Sequence, residues 1–249
     1  NTVSFGAFTN YGSPALYGGY EYSPTQMNAR STEPQKEKHD EALKVLPVLF
    51  DSNDYLVTVC DPTYAGYNWI PNLSIYDEYP SIKAYNTEGV YDEKLPEDAV
   101  SKEEIRRRNF YCHSLMKAAP LFLQSYLYDS GLYNDLSDQV IFEGDPLYSR
   151  SGYQSVFLDW YYALDSLPEM TKVEEGDSNT FLMFTNGTTH EPTLLQEPEY
   201  VPKKTVDNSG YHTNDEERFT VDGRSLRVES PAQLEHYCSN MAAFIKLAQ

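Results

Sequence analysis

The chain has 249 residues, 40% of them hydrophobic, enough for one large α/β domain or two small ones with a sizeable core. Its 38 acidic side chains stand against 19 basic ones, a formal charge of −19, which repels phosphate backbones and sets nucleic acid aside as a partner. Cys60, Cys112 and Cys238 form no CxxC pair and are odd in number, so neither a disulfide framework nor a zinc knuckle is implied. No run approaches the ~18 apolar residues of a membrane span, and no signal-peptide pattern is present. The 22 tyrosines each offer a flat apolar body with a polar tip, which suits a glycan-facing surface and equally a core.

Residues 1–30 are rich in Gly, Ser, Tyr and Asn and read as a long loop, with a helical turn after Pro14. Residues 38–50, KHDEALKVLPVLF, read as an amphipathic helix with Leu43, Leu46 and Phe50 on one face and Pro47 as a point of kinking. After the DSND turn, YLVTVC (55–60) reads as a buried strand. Residues 61–100 read mostly as loop, with a short strand near Ile82–Tyr85. Ser101 and Glu104 make a capping box that opens a long helix, broken at Pro120 and stopped at Gly131. A further amphipathic helix fits 153–167, and TFLMFTNG (180–187) is the strongest strand pattern. A last helix starts at Ser230-Pro231 and runs to the end of the chain. Helices alternating with strands favour a three-layer αβα sandwich with a largely parallel sheet, in which ligands sit at the carboxyl ends of strands.

Three stretches carry chemistry. In TFLMFTNGTTHEP, His190 follows a hydrophobic strand among hydroxyls, placed to donate to a phosphoryl oxygen or a leaving group; a turn-capping role is the plain alternative. In AFTNYGSPALYGG, Thr9 and Ser13 lie on a small-residue loop leading to a helix start, a favourable place for an anionic substrate, or simply a loop and a cap. In VTVCDPTYAGYNWIP, Asp61 ends a strand and Trp69 follows beside Tyr64 and Tyr67, a set that suits a polyol or sugar, or a capping Asp and a Trp covering core. His39 and His113 fall on helices without evident partners, His212 in a polar loop and His236 on the last helix, all places for structural or solvent-facing histidines.

These stretches together resemble the lipoteichoic-acid-synthase-like phosphotransferases of the alkaline-phosphatase/sulfatase superfamily. HDEALKVLPVLFDSNDYLVTVCDPTYAGYNW is similar to the family's helix–strand segment, whose following loop carries an Asp or His and then a Trp that contact glycerol phosphate. FTNGTTHEP resembles the strand followed by His-x-Pro, whose His faces the substrate phosphate. AFTNYGSPALYGG looks like the loop bearing the nucleophilic Thr, and Pro14 stands five after Thr9, as in the related phosphoethanolamine transferases; Thr2 and Ser13 compete with Thr9 for this assignment. The Arg that the family carries shortly after its Trp is absent, with Ile70-Pro71-Asn72 in its place.

The resemblance implies an incomplete alkaline-phosphatase-like domain over residues 1–249. It implies Thr9 and His190 as catalytic residues, and Asp61, Trp69 and Ser13 as substrate-binding ones. An intact parent would use a divalent cation, Mn, Mg or Zn, with Thr9 as one ligand. The other ligands have no counterpart here, since the chain contains no Asp-His pair, so no cation is expected to be retained and the chain alone is expected to be inactive. Family chemistry is double displacement through phosphothreonine, on an anionic lipid or envelope polymer, at the cell surface outside the cytoplasm. The start at Asn1 and the ending AAFIKLAQ are expected to be cuts through a longer, membrane-anchored protein, and sheet edges bared by cutting would invite self-association. Two other readings stand beside this one. A non-catalytic envelope protein would bind glycan through a Tyr-rich face. A sulfatase would need Cys or Ser and Arg where, aligned on Pro14, Gly12 and Leu16 stand.

Overall fold

The computed structural model describes residues 8–97, 99, 102–128, 149–151, 153, 155–171, 175–176, 178–190, 194–208, 220–221, 224–225 and 231–249. Thr2, Ser101, Gly131, Pro192, His212 and Ser230 of the sequence reading lie outside these residues. The chain forms two compact units, one from Asn1–Glu88 with Pro168–Asn186, the other from Gly89–Leu167 with Gly187–Gln249.

The first unit holds α1 (Thr9–Gly18), α2 (Pro24–Ala29), α3 (Gln35–Asp51), β1 (Leu56–Cys60) and β2 (Lys83–Tyr85). A later segment returns to it as β4 (Thr180–Phe184). The strands form a parallel sheet in the order β2-β1-β4, with Val57 beside Phe181, Val59 beside Met183 and Val59 beside Ala84. The α/β class and the parallel sheet expected from the sequence are what the structure has: a three-stranded parallel sheet flanked by helices, compatible with an αβα sandwich, small and incomplete. Side chains alternate across the sheet. Val57, Val59 and Met183 are buried with Tyr76 and Ile82, and Val48, Phe50 and Phe181 pack against them. The Phe50 and Phe181 rings stack with centroids 4.1 Å apart, fixing α3 on this face. Burial of each such aliphatic side chain contributes about 1.5–3 kcal/mol.

Two prolines shape the unit. Residues 1–30 are not one long loop: α1 begins at Thr9, and Pro14 lies inside it rather than at its start. The extended Phe8 opens the helix, its carbonyl accepting from the N–H groups of Tyr11 and Gly12, both at 2.9 Å. Ser13, Pro14 and Ala15 are buried, and α1 packs on α3, so tertiary burial outweighs the weak helix propensity of this Gly- and Pro-containing stretch. Gly19, at φ +80°, ends it. Pro47 lies within α3 and is fully buried. Proline has no N–H, so the Leu43 carbonyl loses its helical donor. The buried Tyr76 hydroxyl donates to that carbonyl at 3.2 Å, and burial pushes the phenol pKa up, keeping it a donor.

The remaining elements are α4 (Lys102–Ala118), α5 (Leu121–Tyr128), β3 (Ser149–Ser151), α6 (Ser155–Asp165), α7 (Leu167–Met170), β5 (Leu195–Gln196), β6 (Val201–Pro202), β7 (Thr205–Asp207), β8 (Thr220–Val221), β9 (Arg224–Ser225) and α8 (Pro231–Ala248). The break expected at Pro120 falls between α4 and α5. In the second unit Phe157, Leu158 and Tyr161 of α6 form a core with Leu194, Leu195 and Ala242. The Lys246 ammonium of α8 lies 2.7 Å from the Asp165 carboxylate and 4.9 Å from the Tyr161 ring centroid, closing α8 onto α6. Short antiparallel pairs complete it, β3 with β7 and β5 with β6. Asn208 bridges them by accepting from the Glu197 N–H at 2.9 Å and donating to the Leu195 carbonyl at 3.0 Å.

Replacing Tyr76 by Phe keeps the ring and strands the Leu43 carbonyl. An unsatisfied buried acceptor costs about 1–3 kcal/mol. A lower urea midpoint at unchanged slope is the expected reading, and an unchanged midpoint would show that another donor serves Leu43.

Candidate functional site

β1 is the central strand, with β2 on one side and β4 on the other, so connections diverge from its carboxyl end. In open parallel sheets that divergence is where ligands bind. Three residues just beyond strand ends meet the need for fixed loops there. Asp61 directly follows β1, Thr185 directly follows β4, and Thr87 stands two residues beyond β2. The Asp61 N–H donates to the Tyr85 carbonyl at 3.0 Å, and the Thr185 N–H donates to the Cys60 carbonyl at 3.1 Å, extending both ladders by one step. One Asp61 carboxylate oxygen accepts the Thr87 N–H at 2.8 Å and the other accepts the Thr87 hydroxyl at 2.6 Å. The Tyr17 hydroxyl of α1 lies 3.0 Å from the Thr185 hydroxyl. Cys60, beneath this rim, is buried, and burial with the Asp61 charge pushes its pKa up to about 12, so it stays a thiol.

The loop after β1 is wound through the left-handed region four times in seven residues: Asp61 at φ +50°, Tyr64 at +54°, Gly66 at +70° and Tyr67 at +60°. Only the glycine adopts this without cost. Gly66 is also close-packed, since a Cβ there would stand 2.6 Å from the Cβ of Asn72. The loop is held by α3: a carboxylate oxygen of the buried Asp40 accepts the Gly66 N–H at 2.7 Å, while its other oxygen pairs with Lys36 at 2.8 Å. It is also touched by α1, where the Asn10 amide reaches the Tyr67 hydroxyl at 3.5 Å.

His39 completes this region. Its side chain is fully buried on α3, edge-on to the Tyr67 ring at 5.5 Å. Neither ring nitrogen has a hydrogen-bond partner among the described residues. Burial lowers its pKa below the ordinary histidine value, and the nearby Asp40 charge opposes this only in part.

Four of the five site residues expected from sequence belong to the first unit. Thr9 is exposed at the opening of α1, next to Asn10. Ser13 is buried, one turn further along. Asp61 stands at the end of β1 with its carboxylate bound to Thr87. Trp69 is 66% exposed, edge-on to Tyr64 at 6.0 Å, and so available to a partner. His190 belongs to the second unit, exposed on a turn in which its N–H donates to the Gly187 carbonyl at 2.9 Å. Gly187 is needed there because a Cβ would stand 2.6 Å from the Trp160 ring. Sequence reasoning passed over Asp40, Tyr17, Thr87 and Thr185, and read His39 as a plain helical histidine. His39 and Asp40 lie within the charged run KEKHDE that opens α3, so no pattern in the sequence marks either as buried.

A divalent cation takes several oxygen or nitrogen ligands. Among the described residues no three His, Cys, Asp or Glu side chains gather in that way. Asp61 and Asp40 already spend their oxygens on Thr87, Gly66 and Lys36. The described residues do not by themselves fit a cation. No protein-family model, curated protein or solved structure matches this chain.

The His39 environment gives the unit a pH dependence. Its folded pKa lies below the unfolded value of about 6.5, so the unfolded chain binds the extra proton first. The contribution of the neutral ring is fully present above that value and is lost as pH falls through it toward the folded pKa. Urea midpoints measured between neutral and mildly acidic pH are expected to fall, and His39→Leu to flatten that slope; an equal slope in the variant would remove His39 as its source.

Gly66→Ala is expected to cost roughly 1–2 kcal/mol from the left-handed backbone alone, before the contact with Asn72. Thermal melting checks this, and an unchanged melting temperature would mean that the loop relaxes freely.

Proposed function

We propose that the chain carries the substrate-binding part of a phosphotransferase or phosphodiesterase of the lipoteichoic-acid-synthase-like kind, acting on an envelope phospholipid or polymer with Thr9 as nucleophile. The observation that carries this reading is the start of α1. Thr9 presents an exposed hydroxyl on the first turn of a ten-residue helix, and its neighbour Asn10 reaches Tyr67, in the same fixed loop as Asp61 and two residues before Trp69. A helix start favours negative charge through its unpaired N–H groups and its dipole. The loop supplies a left-handed, pinned backbone of the kind found where ligands are gripped.

In this reading the Thr9 oxygen forms a bond to phosphorus as the ester P–O bond breaks, its hydroxyl proton passing through solvent to the departing alkoxide. Water or an acceptor hydroxyl then displaces the threonine oxygen, which takes up the attacking group's proton. A divalent cation enters the proposal only with ligands beyond the described residues. His190 lies on the second unit, and a donor role toward a phosphoryl oxygen is proposed for it on its own, tested by His190→Ala. The proposed setting is the cell surface, outside the cytoplasm.

One observation favours the glycan-binding alternative. The exposed Trp69 stands edge-on to the half-buried Tyr64, an aromatic pair that suits a sugar face. Titration of isotope-labelled chain with glycerol phosphate separates the two. Amide shifts at residues 9–12 together with 61–69, weakened severalfold in Thr9→Val, are expected. Shifts at Trp69 alone, elicited equally by an uncharged oligosaccharide, would favour the glycan reading and overturn the assignment of Thr9.

A further inference from the structure

α4 and α5 present an apolar surface that nothing in the candidate site uses. α4 ends at Ala118, and Pro120, which cannot continue the helix ladder, opens the turn into α5. The corner is pinned: the Leu123 N–H donates to the Pro120 carbonyl at 2.8 Å, and the Gln124 amide donates to the Ala119 carbonyl at 3.0 Å. The two helices pack on each other. Along α4 the half-buried stripe is Asn109, Cys112 and Met116, at helical spacing. Away from it large apolar side chains face solvent, Phe110 at 77% and Tyr111 at 67% exposure. On α5 the exposure is greater, with Leu121 at 83%, Phe122 at 79% and Tyr126 at 81%. α5 contains no charged residue at all.

The charge beside this surface is opposite to that of the chain. α4 carries five basic side chains, Lys102, Arg106, Arg107, Arg108 and Lys117, against two acidic ones, in a chain whose net charge is −19. Arg106 and Lys117 are exposed on it. At physiological salt a charge is felt over about 8 Å, so the exposed Arg106 and Lys117 act on a partner that meets α4 itself.

We propose that α4 and α5 form an interfacial docking surface for a membrane rich in anionic lipid. The apolar side chains of α5 enter the headgroup boundary, and the exposed Arg106 and Lys117 of α4 meet the lipid phosphates. α5 has eight residues, about 12 Å of helix, so it lies in the interface and does not cross a core of about 30 Å. Tyr126 and Tyr128 have the apolar body and polar tip that this depth selects. A second copy of the chain is the poorer occupant, because a self-complementary contact would set one basic α4 against another. This inference does not depend on the phosphotransferase reading.

The test is flotation of the purified chain with vesicles of phosphatidylcholine alone and with vesicles containing about one third phosphatidylglycerol. Binding to the mixed vesicles only is expected, released by high salt. Arg106→Gln is expected to weaken it about fivefold and Phe122→Asp more than tenfold, with melting temperatures unchanged because both positions are exposed. Should Phe122→Asp disturb folding, Tyr126→Ser reads the same surface. No flotation, equal flotation with neutral vesicles, or indifference to these substitutions would overturn the proposal. A Phe122→Asp change in oligomer size with flotation intact would assign the surface to a second copy instead.

Discussion

Two buried or half-buried carboxylates hold the carboxyl edge of the sheet, and the candidate site depends on them. A three-stranded sheet offers few ladder bonds, so the loops leaving it need other anchors. Asp61 ties the end of β1 to the segment after β2 through both hydrogen-bonding groups of Thr87. Asp40 reaches from α3 to the Gly66 N–H. Together they fix the chain directly after β1, where Asn10 reaches Tyr67.

The magnitudes are comparable. Three non-glycine residues in the left-handed region cost roughly 1–2 kcal/mol each. Three hydrogen bonds to carboxylates contribute about 1.5–3 kcal/mol each. The loop is therefore held in a conformation that it would not adopt alone, with a small margin. Such a loop meets a ligand already shaped, and little ordering entropy remains to be lost on binding.

The elements that could be read from sequence are those in which local pattern and burial agree. α3 and β1 follow from the spacing of Leu43, Leu46 and Phe50 and from the β-branched run ending at Cys60. The break at Pro120 follows from the missing N–H. α1 was misread because its propensity is poor and its stability comes from burying Ser13, Pro14 and Ala15 in an arrangement that sequence does not display. The same holds for the site. Asp61 and Trp69 stand out as residue types at a strand end, whereas the Asp61–Thr87 and Asp40–Gly66 bonds each join residues 26 apart with no pattern between them. Pro47 looked like a kink, and the compensating donor, Tyr76, is 33 residues from the carbonyl that it serves.

His39 sets the deeper constraint on how this edge can work. A buried imidazole whose nitrogens have no hydrogen-bond partner among the described residues favours the neutral form, because the nearby Asp40 charge offsets only part of the desolvation cost. It lies beside Tyr67, whose backbone is already wound left-handed and whose hydroxyl meets Asn10. Protonation of His39 would thus act on Tyr67, which touches α3, belongs to the β1 loop and meets the start of α1. The stability of the unit and the geometry around Thr9 share that contact. The loop gains its fixed shape from the same packing that makes it sensitive to acid.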